Sequence, residues 1–478
     1  MKVSFPVRIY IVALVLRLIP VLLTRGLGIG LDDMFQYDML ARSLASGNGF
    51  RWYAQEDLKL LDPYVEFDLS TANDYDPERG VYTSFRAPLY PTFLALVYFL
   101  NGLDFSRFFA ARLAQVILLG APLAPLTYLV SRRFLPDAEK TARISAWIAA
   151  CYPMLLVYPL GLGTENLFFV LLLSSFLFLL KSFEKPSAFR LLLSGFVLAL
   201  AALTRSVLLP FAFLAFLVLF LLHRRRAILF IAMFFAVISP WIIRNSLLHQ
   251  KITGIETSMG YNLYLGYHPE GNGSFIFGPS LDLLTILDDA GRDKVGTQKA
   301  LEFIKDQPGR FLPLAVNRLG FFFGLEKRAL MYFYSNNVVG FIPKPALLTV
   351  SAILLLPFVF ISTSAAFGLS LLQRNPKTTL LMLLFISYIL PHVLILSEDR
   401  FHLALIPYFA ILAAHGWTND IKGLSAHWRE SSFGKLALMF AGFAILLLLT
   451  NWGLELFRDA DKIAQLLAPN GNQTYFPY

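Results

Sequence analysis

Apolar runs of at least 14 residues without a charge recur along the chain, among them 144–164, 166–180, 191–204, 206–222, 227–243, 345–373, 378–397, 401–417 and 436–454. A hydrocarbon core about 30 Å thick is crossed by roughly 20 apolar residues in an α-helix, and each run reads as such a crossing. Residues 5–24 contain Arg17 and lead to no small-residue cleavage site, so they read as a retained helix and not as a signal peptide. Residues 108–130, with Arg112 near one end, add another. Composition agrees: 56% of the 478 residues are hydrophobic and 15% charged, against about 25% charged in soluble domains. Such a chain cannot cover itself with a water-facing surface. The single cysteine, Cys151, excludes an internal disulfide.

The awkward segment is 87–100, apolar but carrying Pro88 and Pro91. At 1.5 Å per residue it reaches about 21 Å, short of a full crossing. Charge decides where it goes. If it lies along the interface, one side of the membrane collects Lys2 and Arg8, Arg132 and Arg133, Lys140 and Arg143, Lys181, Lys185 and Arg190, Arg224 to Arg226, Arg374 and Lys377, and Lys422, Arg429 and Lys435. The other holds Arg205, Arg400, Arg458 and Lys462 outside its long loops. Seventeen against four is a strong positive-inside bias, and it accounts for the net charge of +9 without nucleic acid. The expectation is an all-α integral membrane protein of eleven spans with a cytoplasmic N-terminus. Two long external loops, 25–107 and 244–344, carry helices lying on the membrane, those of 25–107 on the active-site side. Segments 311–323 and 332–342 lie on the surface or both cross, which would make thirteen spans.

Chemistry is sought in those loops. Asp32 and Asp33 precede Tyr37, Leu40, Ala41 and Leu44, and Gly47 and Gly49 follow, the pattern of a short amphipathic helix. One carboxylate there is a cap and a partner for the helix dipole. A second beside it repels the first and invites a catalytic or ligand role. Arg86 introduces the proline-bearing segment, Arg205 sits in a tight turn, Arg244 follows Pro240 and Trp241, and Arg400 lies in Ser397, Glu398, Asp399, Arg400. Such arginines anchor helices by snorkelling to headgroups. Gathered at one depth, they equally suit a lipid phosphate, which guanidinium binds through paired hydrogen bonds. Glu165 follows Thr164 at a helix start and reads as a dipole partner or a catalytic acid. The triplet Asp74, Tyr75, Asp76 is a weak metal signal, and no zinc spacing, phosphate loop or nucleotide fingerprint occurs.

These motifs in order resemble bacterial glycosyltransferases of the GT-C fold, among them the protein O-mannosyltransferase-like group and the aminoarabinose transferase that modifies lipid A. They are Asp33 with Tyr37 and the following glycines, Arg86 to Pro91, Thr164 with Glu165, Leu203 to Arg205, Pro240 to Asn245, and Arg400 to His402 leading into Leu405 to Pro407. The resemblance implies one GT-C transmembrane domain over 1–478 and a sugar donor on a polyprenyl monophosphate such as undecaprenyl phosphate. Transfer goes to an acceptor hydroxyl of a lipid, polysaccharide or protein, on the outer or periplasmic face of the plasma (inner) membrane. By position Asp33 resembles the catalytic carboxylate, Arg86 the basic phosphate contact and Glu165 the acid of the second external loop. Asp32 is grouped with the catalytic pair, and Tyr37, Arg205, Arg244 and Arg400 with the donor phosphate. No metal ligand set is assigned, although this chemistry leaves room for a divalent cation, Mg or Mn. Phe85 and Gln36 depart from relatives that place an acidic and a basic residue there. The rival from another class is a transporter or lipid-carrier flippase, which commonly shows internal repeats and midplane charges. No internal repeat is seen in this sequence, and its charges gather at one face beside two long loops.

Overall fold

The computed structural model describes residues 3–475 apart from 73 and 431, with the side chains at 420–424, 426, 427 and 430 also left aside. Lys2 and the Lys422 side chain, two of the seventeen cations, therefore lie outside the described residues. Among these, eight helices are long and apolar enough to cross a membrane: Phe5–Leu23, Arg107–Phe134, Thr164–Glu184, Ser206–His249, Lys344–Ser370, Pro376–Leu394, Asp399–Asn419 and Ser432–Arg458. The pair Glu139–Cys151 and Pro153–Leu160, bent by 53°, makes nine.

Two features separate this count from eleven. Ser206–His249 is a single apolar stretch of 44 residues, which as a straight helix would measure about 66 Å, twice a hydrocarbon core. Arg224 adopts φ 53°, ψ −130° and opens a short 3₁₀ turn, Arg224–Ala227, that divides the stretch into Leu209–His223 and Ile228–His249. Ala188–Thr204 is apolar but only 17 residues long. Thirteen crossings are not what the structure holds. Phe311–Phe322 has 12 residues and Arg328–Phe333 has 6, about 18 and 9 Å of helix, and both stop too early to span.

The bilayer offers no water to an unsatisfied backbone group, so each break must be repaired inside the protein. Pro153 has no N–H for the carbonyl of Ala149, and extended Tyr152 carries the next turn away. Arg17, fully buried, supplies the missing donors through Nη2 to Ala149 O at 2.9 Å and Nη1 to Ala150 O at 3.1 Å. Gly120 makes room for it, since a Cβ there would stand 2.9 Å from Arg17 Cδ. A charge inside the first apolar helix is thus the repair of a kink in another.

Loop 25–107 contains helices Asp33–Ala45, Gln55–Leu61 and Leu89–Asn101 and a two-stranded antiparallel ribbon, Arg51–Trp52 with Val81–Tyr82. Leu89–Asn101 is the proline-bearing segment; Leu96, Phe99 and Leu100 on it are exposed, while Tyr90, Leu94 and Tyr98 are buried against the protein. At 13 residues, about 20 Å, this helix is too short for a full crossing. Loop 244–344 packs onto the first loop. Asp68 N donates to Thr285 O at 3.2 Å, and buried Asp289 accepts from Thr83 Oγ1 at 2.5 Å and Ser84 N at 2.7 Å. The residues just before Arg86 are held by this second loop.

Orientation is directly measurable. In a Cys151→Ser background, a cysteine at the fully exposed Ile252 is expected to react with an impermeant reagent added outside intact cells, and one at Arg225 to be spared. The opposite pattern would invert the topology.

Candidate active site

Asp32 and Asp33 take different parts. Asp32 is the N-cap of Asp33–Ala45, its Oδ1 accepting from Met34 N at 2.8 Å. Asp33 turns away from the helix. Its Oδ1 is paired with Arg86 Nη2, and its Oδ2 accepts from Arg400 Nη2 at 3.0 Å. Arg86 is braced separately by Gln36 Oε1, 2.8 Å from its Nε and 2.7 Å from its Nη2. The ring of Tyr37 lies 5.2 Å from the Arg86 guanidinium and packs edge-on against Tyr90.

Arg400 joins this cluster to a second one. Its Nε lies 2.8 Å from Glu398 Oε2 and 3.7 Å from Glu165 Oε1. Glu165, at the start of Thr164–Glu184, is also 3.0 Å from Arg205 Nη1. Arg328, which the sequence reading passes over, binds Glu398 Oε2 at 2.8 Å and Asp399 Oδ1 at 3.4 Å. Its signal was present as the run Glu326, Lys327, Arg328 between two apolar segments. Glu398 and Gln36 were likewise not read as members of the site.

Of the residues singled out in the sequence, Asp33, Tyr37, Arg86, Glu165, Arg205 and Arg400 come together, with Asp32 capping at their edge. Arg244 sits elsewhere. Its Nη1 donates to Thr83 O at 2.6 Å and its guanidinium lies 4.9 Å from the Trp241 ring, so it clasps the strand leading to Arg86. Asp76 of the acidic triplet accepts from Glu78 N and Arg79 N and closes a turn.

Electrostatics sorts the groups further. Burial works against ionisation of Asp33, but Arg86 and Arg400 outweigh it and hold the carboxyl well below the usual range. Asp32 goes the other way, raised first by the protein packed around it and then by the charge of Asp33. Burial pushes the Tyr37 phenol up to about 12, so it is a hydrogen-bond donor and not a base at neutral pH. Among the described residues no three His, Cys, Asp or Glu converge as metal ligands, and both oxygens of Asp33 are already engaged.

Buried polar contacts hold the Asp33–Ala45 helix in place. Asp38, 1% exposed, receives Arg42 Nε and Arg107 Nε, both at 2.8 Å, and Tyr98 OH at 3.0 Å. Asp33–Ala45 is thereby tied to Leu89–Asn101 and to the start of the next spanning helix. Arg112 donates to Gly28 O at 2.6 Å and Leu160 O at 2.8 Å, linking the segment before Asp32 to the one before Glu165.

The family model of the dolichyl-phosphate-mannose-protein mannosyltransferases matches residues 86–243, a third of the chain, from Arg86 through Glu165 and Arg205. Among curated proteins none matches the sequence. Similar solved structures include the oligosaccharyltransferase of Archaeoglobus fulgidus in its apo form, 16% identical over all of this chain and 60% of that one, with a TM-score of 0.48. The same enzyme tethered with an acceptor peptide is 14% identical over the same shares, with a TM-score of 0.47. ArnT from Cupriavidus metallidurans, bound to undecaprenyl phosphate, is 13% identical over 88% of this chain and 79% of that one, with a TM-score of 0.39. The chain therefore spans about 60% of the length of the archaeal enzyme. Over residues 86–243 the chain is thus similar to the dolichyl-phosphate-mannose-protein mannosyltransferases, and its apolar helices are those of a multi-pass membrane protein.

Removal of the Asp38 carboxylate takes from Arg107 its carboxylate partner and leaves Arg42 with Asp57 alone. Asp38→Ala is expected to destabilise the protein by about 3–5 kcal/mol, read as a lower thermal midpoint in detergent. An unchanged midpoint would show that this brace carries no load.

Proposed function

We propose that the chain transfers a sugar from a polyprenyl monophosphate to an acceptor hydroxyl at the outer face of the plasma (inner) membrane, with inversion at the anomeric carbon. The observation that carries this is the convergence of Asp33 with Arg86 and Arg400, and of Glu165 with Arg205, from four separate parts of the chain. The matching family, named for dolichyl-phosphate mannose, supports the same donor class.

In this reading Asp33 takes the proton of the acceptor hydroxyl. The acceptor oxygen bonds to the anomeric carbon as the bond from that carbon to the phosphate oxygen breaks, its electron pair leaving with the phosphate. Attack opposite the leaving group inverts the centre through an oxocarbenium-like state. Arg86 and Arg400, with Arg205 behind them, stabilise charge growing on the leaving oxygen. Glu165 fixes Arg205 and Arg400. Arg244 serves at one remove, through the backbone before Arg86. The acceptor is a lipid, polysaccharide or protein hydroxyl, and loop residues 51–84 and 244–344 are where its choice resides.

Asp33→Asn is expected to lower transfer by about 10²- to 10⁴-fold, the value of a general base, with expression and melting unchanged. Transfer near the wild-type rate in this variant would remove Asp33 from the role of base. Arg86→Ala is expected to cost about 1.5–3 kcal/mol, roughly ten- to a hundredfold in donor use, with acceptor affinity retained. Equal donor affinity in the two proteins would take Arg86 away from the phosphate.

A further inference from the structure

A base and a salt-bridge partner make opposite demands on one carboxylate. Asp33 gives one oxygen to Arg86 and the other to Arg400. A carboxylate so neutralised has little affinity for a proton and is a poor general base. It also occupies, with its two oxygens, the donors that two phosphate oxygens would need. As the structure stands, Asp33 competes with a donor phosphate for Arg86 and Arg400, and while so paired it is held from the acceptor.

We propose that Asp33 is a base released by its own substrate: the donor phosphate takes Arg86 and Arg400 from it, and the carboxylate then becomes free to accept the acceptor proton. This rests on the transfer reading above and adds an order of events to it.

Three features make the Asp33 contact the one that exchanges. First, each guanidinium is anchored by a group other than Asp33. Gln36 accepts hydrogen bonds from Arg86 Nε and Nη2, and Glu398 stays paired in charge with Arg400, its Oε2 2.8 Å from Nε though not hydrogen-bonded to it, so both keep a partner when Asp33 leaves. Second, access differs. Of the three carboxylates around Arg400, the Asp33 side chain is 34% exposed, against 5% for Glu165 and 9% for Glu398. A ligand arriving from solvent or from the membrane surface meets Asp33. Third, among the described residues Nη1 of Arg86 and Nη1 of Arg400 carry no hydrogen bond, so a phosphate oxygen has donors to approach before the carboxylate gives way.

The sign of the effect follows. In the free protein two cations keep the Asp33 carboxyl low, so it stays ionised far into acid. Once they turn to the phosphate, Asp33 loses two positive neighbours and gains a negative one, and both changes raise its proton affinity. Tyr37, Glu165, Asp32 and Arg205 also face the cluster, and none of them leaves with the phosphate.

The test measures binding and rate separately. Asp33→Asn removes the competitor for the arginines, so undecaprenyl monophosphate is expected to bind it about tenfold more tightly than wild type, the scale of one charge-assisted contact. Undecaprenol, which lacks the phosphate, is expected to bind both equally. Equal or weaker binding of the phosphate by Asp33→Asn overturns the exchange, even where transfer is lost and the base assignment stands. Tighter binding with transfer intact overturns the base assignment instead, and with it the release of a base. In wild type, the acid limb of kcat is expected on the order of one pH unit or more above that of kcat/KM for the donor, because kcat reports the loaded protein and kcat/KM the free one. Coincident limbs overturn the proposal.

Discussion

Charges removed from water must be matched within a few ångströms, and around Asp33 this rule organises much of the molecule. Asp33 meets Arg86 and Arg400, Arg400 meets Glu165 and Glu398, and these bring in Arg205 and Arg328. The residues come from the first loop, two helix ends, the second loop and the 3₁₀ run Asp399–Leu405. Separating any one of those segments would take an ion-pair partner from a charge in the cluster. The contact that serves chemistry therefore also sets how the loops close over the bundle.

The same rule explains polar residues that look out of place in apolar sequence. Arg17 repairs the carbonyls freed at Pro153, Arg112 ties Gly28 to Leu160, and Asp38 gathers Arg42, Arg107 and Tyr98. None touches the Asp33 cluster, yet Asp38 fixes the helix that begins with Asp33, and Arg112 fixes the segments that lead to Asp33 and to Glu165. Asp289 does so for the strand before Arg86. The site is set on a frame whose joints are themselves polar and buried.

Because carboxylates and guanidiniums are interleaved, the cluster does not attract an anion by excess positive charge. A phosphate enters by replacing a carboxylate. That makes the order of binding and deprotonation a matter of which ion pair yields first, and the exposure of Asp33 marks it as the yielding one.

Much was legible in the one-dimensional pattern. Uncharged runs of membrane length appear whatever the tertiary arrangement, because hydrocarbon excludes charge and an unsatisfied backbone. The asymmetry of Lys and Arg decided that 87–100 lies flat, and the structure shows a 13-residue helix with one buried face. Asp33, Arg86, Glu165, Arg205 and Arg400 were found because each is a charge at the edge of an apolar run. What the pattern left open was pairing. Whether Asp32 or Asp33 caps the helix, whether Arg244 joins the arginines or clasps a strand, and whether Arg328 belongs at all depend on side chains brought together from distant positions. Residue 33 lies 367 places from Arg400, and no local period encodes that distance. Sequence alone determined which segments the hydrocarbon accepts and which charges it expels to the edges. The tertiary structure decided which expelled charges neutralise one another, since pair energies depend on separations of a few ångströms that only the folded chain sets.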